Sequence, residues 1–167
     1  MLQQKNTNKL RTSFGLIISI CILVILFVGF DDIRAKVRDT KRTADINEIV
    51  KALDIYYDRH GRYPEVTDDD WQGWDNTYET ENNSYSFLQT LYQENILGNE
   101  VHDPLNDNNY FYRYKKFPYG SHNCQSEFYV LQIVNYETFQ DAHGQGSCPQ
   151  YDFVEEIPNG YTVMKIE

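Results

Sequence analysis

Cys124 and Cys148 are the residues whose types and spacing most invite chemistry, and both lie in the polar, loop-rich C-terminal part of the chain. His122 stands two residues before the first and His143 five residues before the second. Thiolates and imidazoles together bind zinc, whereas two cysteines alone in such a region form a disulfide in an oxidising compartment. The spacing matches no zinc knuckle, so the disulfide is the expectation and the metal site the alternative. A bond between them closes a loop of 25 residues, which by the chain-entropy relation contributes about 3–4 kcal/mol. Cys21 lies alone in an apolar run and reads as a small hydrophobe.

Oxygen ligands offer a second chemistry. Asp103, Asn106, Asp107 and Asn109 crowd one turn and are candidates for calcium, which takes about 6–8 oxygens. They lack the ordered spacing and closing Glu of an EF-hand, so an Asx-rich turn is the plainer reading. Asp68, Asp69 and Asp70 read as a solvated loop leading to Trp71 and Trp74. Arg34, Arg38 and Arg42 recur at i, i+4 and i+8, a basic ridge suited to lipid phosphates or to acidic neighbours, or simply to solvent. His60 and His102 have no companion motif. The sequence contains no recognisable nucleophile–base motif, phosphate-cradling Gly loop or metalloprotease helix, so no catalytic residue is assigned and the expectation is a non-enzyme. No cofactor is expected beyond the calcium candidate.

The elements that position these residues follow from hydropathy. Phe14 to Phe30, FGLIISICILVILFVGF, carries no charge and at about 1.5 Å per residue spans roughly 25 Å, near the lower limit for crossing a bilayer core. Lys5, Lys9 and Arg11 precede it, but it ends in Phe27-Val28-Gly29-Phe30 without a small-x-small cleavage site, so it reads as a retained single-pass segment rather than a cleaved signal. No Pro or Gly interrupts the chain from there to His60. Ile46, Ile49, Val50, Leu53 and Tyr56 or Tyr57 keep helical spacing, and Gly61 and Pro64 supply a stop. The pattern predicts one helix from about Ser13 to His60, followed by a short helix over 84–97. Strands are predicted at 110–117, 127–134 and 161–166, where aromatic and branched residues concentrate.

The fold class expected is α+β: a long N-terminal helix, half membrane and half amphipathic, packed on a small antiparallel sheet head. Its divisions are residues 1–13, a leader-like N-terminus; 14–30, the transmembrane segment; 31–60, the amphipathic continuation; and 61–167, the soluble head. Residues 1–60 carry 10 Lys/Arg and 7 Asp/Glu, while 61–167 carry 5 and 18, giving +3 and −13, which sum to −10. A head this acidic disfavours nucleic acid. The flanking charges of the apolar run, counted alone, put the head inside; the cysteine pair puts it outside.

The order of parts resembles the type IV pilins and the pseudopilins of type II secretion. The segment IRAKVRDTKRTADINEIVKALDIYYDRHGRYP at 33–64 carries the closest likeness, with the DPLND turn at 103–107 and the Tyr-rich strand after it resembling a major-pseudopilin head. The resemblance implies a filament subunit assembled through its N-terminal helix. Its partners would be copies of itself, related pilin-like subunits, the membrane and a prepilin peptidase. It also implies a head outside the cytoplasm, anchored in the inner or cell membrane or displayed on a cell-surface filament. Processing would fall between Ser13 and Phe14. The family pattern has Gly before the cut and Glu as fifth mature residue, where this chain has Ser13 and Ile18. The alternative is a membrane-anchored extracytoplasmic binding module that does not polymerise and recognises its ligand through the Trp71/Trp74 loop.

Overall fold

The computed structural model describes residues 2–66, 73–78, 86–98, 101–138 and 144–166, with side chains described for 16–20 and from Phe30 onward. The chain is α+β, with one main helix and a mixed sheet. It divides into two compact units, Met1–Val37 and Arg38–Glu167, described in turn.

Helix α1 spans Leu2–His60, beginning earlier than the expected start near Ser13. In the first unit its described apolar side chains are exposed, among them Leu16, Ile17, Ile18, Ile20, Phe30, Ile33 and Val37. Among the described residues no helix is long and apolar enough to cross a membrane. The proposed segment 14–30 includes residues 14, 15 and 21–29, whose side chains lie outside the described set.

In the second unit α1 buries one face. Ile46, Ile49, Leu53 and Tyr56 enter the core, following the spacing seen in the sequence. Leu53 and Ile49 are fully buried, and truncating either to alanine removes about 2–5 kcal/mol. The helix stops where the sequence put the stop. Gly61 takes φ +67° and donates its N–H to the Tyr57 carbonyl at 2.8 Å, a conformation open to glycine without Cβ strain. Arg59 and His60 occupy the last turn, the end that favours positive charge.

The second helix is shorter than expected, α2 at Leu88–Gln93 rather than 84–97. Leu88 and Leu91 anchor it in the core, and the turns after Gln93 bring Asn95 to φ +54°, which ends the helix before Leu97.

The strands are β1 (Asp75–Asn76), β2 (Tyr112–Phe117), β3 (Phe128–Ile133), β4 (Gly144–Gln145), β5 (Ser147–Cys148), β6 (Tyr151–Asp152) and β7 (Tyr161–Ile166). Five form a sheet in the order β1-β2-β3-β7-β4, and β5-β6 make a separate ribbon. The expected purely antiparallel sheet is corrected at one edge, because β4 runs parallel to β7. That pairing depends on Gly144, at φ +80°, where an added Cβ would lie 1.8 Å from the Thr162 carbonyl oxygen. A two-residue strand has no alternation to reveal it in the sequence.

The sheet has two buried faces, and β3 is buried along its whole length. On one face Tyr112, Tyr114, Tyr129, Leu131 and Ile133 join the α1 residues in the main core. On the other, Phe117, Phe128 and Val130 pack with Phe153 and the two cysteines. Polar groups inside are tied down: Gln132 donates to the Phe153 carbonyl at 2.8 Å and accepts from Arg113 Nε at 2.7 Å. The Tyr114 hydroxyl donates to the Pro64 carbonyl at 2.8 Å. The Tyr129 hydroxyl, by contrast, is buried without a hydrogen-bond partner.

Candidate functional site

The head is fastened to α1 by a buried charge cluster. Arg42 is fully buried. Its Nε and Nη2 donate to the two carboxylate oxygens of Asp103 at 2.7 and 3.0 Å, a fork-to-fork pair across 61 residues of sequence. Its Nη1 donates to Asp39 at 2.6 Å and to Glu137 at 2.8 Å, and the Tyr110 ring lies 4.8 Å from the guanidinium carbon. Asp39 in turn accepts from the Glu137 and Thr138 backbone N–H groups at 3.0 and 2.8 Å. Arg38 Nε donates to Glu137 at 2.7 Å. Two loops distant in sequence, at 103 and at 137–138, are thereby joined to one turn of α1.

The electrostatics follow from this geometry. Burial works against the charge on Arg42, but its hydrogen bonds to Asp103, Glu137 and Asp39 outweigh it and raise the pKa above its ordinary value. The hydrogen bond from Arg38, opposed by burial and aided by Arg42, holds Glu137 below the usual carboxylate range. Nearby, burial and then Asp45 push the Tyr112 phenol up, and Tyr112 donates to Asp45 at 2.9 Å.

The three arginines of the sequence ridge therefore part company. Arg42 and Arg38 satisfy the chain's own carboxylates, while Arg34 is 71% exposed with Asp31 at 4.0 Å. Asp39 and Glu137 were absent from the sequence candidates. One signal was readable: Asp39 and Arg42 share helical spacing with Ile46 and Ile49, so they continue the face that enters the core. Their partners at 103 and 137 carry no local signal.

The four calcium candidates are brought into one turn but are separately engaged. Asp103 faces Arg42 and also accepts from the Leu105 N–H at 2.8 Å. Asn106 exchanges hydrogen bonds with Thr77, through its amide to the Thr77 carbonyl at 3.0 Å and its oxygen from the hydroxyl at 3.1 Å. Asp107 accepts from the N–H groups of Asn109 and Tyr110 at 2.9 and 3.0 Å, and the Asn109 amide donates to Asn108 at 3.1 Å. The bonds that Asp103 accepts from Leu105 and Asp107 from Asn109 are those of Asx turns. Among the described residues no group of three or more His, Cys, Asp or Glu is placed to hold a metal ion.

Cys124 and Cys148 are bonded, with Cα atoms 5.2 Å apart. The bond ties the turn after β2 to the β5–β6 ribbon, and Phe117, Phe128 and Phe153 pack beside it. His122, at φ +50°, stacks obliquely on Tyr151 with centroids 4.6 Å apart and meets Phe117 and Phe153 edge-on. His143, Trp71 and Asp68 to Asp70 lie outside the described residues, and of Ser13 and Phe14 only the helical backbone is described. Trp74 is half-buried, with the Arg113 guanidinium 4.1 Å above its ring and Phe117 edge-on at 6.2 Å. An open groove of about 540 Å³ lies where β4 diverges from β7, lined by Gly146, Ser147, Asp152, Val154, Met164 and Ile166.

The arrangement thus contains a head stapled by the Cys124–Cys148 bond and a helix whose described upstream apolar side chains at 16–18, 20, 30, 33 and 37 are exposed. No protein-family model, curated protein or solved structure matches the chain.

Proposed function

We propose that the chain is a structural subunit of a type IV pilus-like or secretion pseudopilus filament, held in the membrane and assembled through its N-terminal helix. The observation that carries this reading is the exposure of Leu16, Ile17, Ile18 and Ile20, at 64, 59, 51 and 57%, within a charge-free run of 17 residues, Phe14 to Phe30. Consecutive positions point to different sides of a helix, so this segment is apolar all round and needs lipid or other helices to cover it. The head supports the reading from its side. It is built on the downstream part of the same helix, from Arg38 on, and is locked to that part by Arg42.

The binding-module alternative draws on Trp74. Its ring is occupied by Arg113 and Phe117, which favours a packing role for that residue. Intact mass of the protein purified from its native membrane, with electron microscopy of the sheared surface fraction, tests the filament reading. A mass lacking residues 1–13 together with filaments containing the chain is the expected result. An intact Met1 start and a monomeric membrane fraction would transfer the assignment to the anchored module.

A further inference from the structure

The apolar surface of the first unit does not end with the charge-free run. Phe30, Ile33 and Val37 are exposed at 56, 59 and 64%. At about 100° per residue these three fall within an arc of roughly 60° on the helix. Arg34 and Lys36 flank that arc, one on each side. Asp31, Asp32 and Ala35 project to the opposite side. This is the layout of a helix lying at a membrane surface: an apolar stripe, cations beside it and acids turned away.

The length of the run supplies the reason for such a stripe. Seventeen residues reach roughly 25 Å, about 5 Å short of a typical hydrocarbon core. Extending the apolar surface to Val37 on one side only gives roughly 36 Å over residues 14–37. The helix then meets the bilayer boundary obliquely, with Asp31 and Asp32 kept in water. On the collar's own side of the run, residues 31–37 carry Arg34 and Lys36 against Asp31 and Asp32, so it is the placement of the two cations beside the stripe, and not a net charge, that suits lipid phosphates. The stripe ends at Val37, and the next residue, Arg38, is already paired with Glu137 in the head unit.

We infer that Phe30, Ile33 and Val37 form an interfacial collar seated in the headgroup–acyl boundary of an anionic bilayer, with Arg34 and Lys36 bound to lipid phosphates. The inference rests on the membrane part of the function proposed above and adds the depth at which the head begins.

Spin labels on single introduced cysteines test it in the full chain carrying Cys21→Ser, with the Cys124–Cys148 bond intact. Positions 17, 32, 33, 37 and 47 are labelled in vesicles of phosphatidylcholine, with and without one quarter phosphatidylglycerol. Relaxation by oxygen and by a water-soluble nickel chelate reports the surroundings of each label. Labels at 33 and 37 are expected to favour oxygen several-fold over those at 32 and 47, more strongly with phosphatidylglycerol, and Arg34→Gln/Lys36→Gln is expected to abolish that lipid dependence. Equal nickel access at 33, 37 and 47 would overturn the collar while a lipid-buried label at 17 leaves the membrane reading standing. Nickel access at 17 as well would overturn both. Labels at 33 and 37 shielded from both reagents, with dipolar broadening between copies, would assign the stripe to a second chain instead. Lipid dependence that survives the double substitution would refute the phosphate contacts.

Discussion

Replacing Arg42 by methionine removes the one cation shared by three carboxylates while keeping most of the side chain's apolar volume. Asp39 and Asp103 are fully buried and Glu137 is 13% exposed at its side chain. Arg38 still neutralises Glu137, but Asp103 keeps only backbone N–H donors and Asp39 only N–H and hydroxyl donors. Breaking a buried pair by removing one partner costs about 3–5 kcal/mol, because the charge left behind has lost its solvent and its counterion. For a head of this size that loss lowers the melting temperature by about 10–20 °C. Lys165→Met is the internal control. The Lys165–Asp54 pair at 2.6 Å is over one third exposed on both sides, and its removal changes stability by less than about 1 kcal/mol. Both variants are read by urea unfolding of the detergent-solubilised chain, with fluorescence of Trp71 and Trp74, both in the head, as the signal. A loss of under 1 kcal/mol for Arg42→Met would refute the claim that this cluster fastens the head to α1. The same assay carries the pH dependence. Glu137 is held below its ordinary pKa by Arg38 and Arg42, so its contribution is present above the unfolded carboxylate value of about 4.3 and is lost as pH falls through the lower folded value. The urea midpoint is therefore expected to fall below about pH 4–5, and Glu137→Gln to flatten that acid limb.

The Cys124–Cys148 bond and the Tyr129 hydroxyl give two further tests. Reducing the bond, or the double substitution Cys124→Ser/Cys148→Ser, is expected to lower stability by about 3–4 kcal/mol without changing the strand content, as read by far-UV circular dichroism and urea midpoint. Tyr129→Phe removes a buried hydroxyl that has no partner, so stability is expected to stay level or rise by about 1 kcal/mol. A clear loss would mean that the hydroxyl is bonded.

Sequence pattern revealed most of the head's skeleton because the signals there are local. Tyr161–Ile166 falls where the turn at Pro158-Asn159-Gly160 releases it, and β2 and β3 lie within two residues of the expected strands. Their aromatic and branched residues are the types that strands favour. The apolar face of α1 and its stop at Gly61 were legible for the same reason. The charge cluster was not. Arg38 and Arg42 look like a solvent-facing ridge until Glu137 and Asp103 arrive from 99 and 61 residues away. At the Asx-rich turn, likewise, nothing local shows that Asp103 faces an arginine 61 residues upstream. The short strands β1, β4, β5 and β6 have two residues each, fewer than any periodicity needs.

The strand order β1-β2-β3-β7-β4 also sets a timetable. β3, FYVLQI, is an apolar strand whose second edge is, among the described residues, covered by β7. β4 cannot stand in for it, because β4 itself pairs with the far edge of β7. Between Ile133 and Tyr161 lie 28 residue steps (161 − 133), so at about 5–20 residues per second of synthesis the edge of β3 waits roughly 1–6 s for its partner. An open apolar edge of this kind is a template for pairing with another nascent chain. Copies synthesised close together are therefore open to mispairing along this edge until residues 161–166 have emerged.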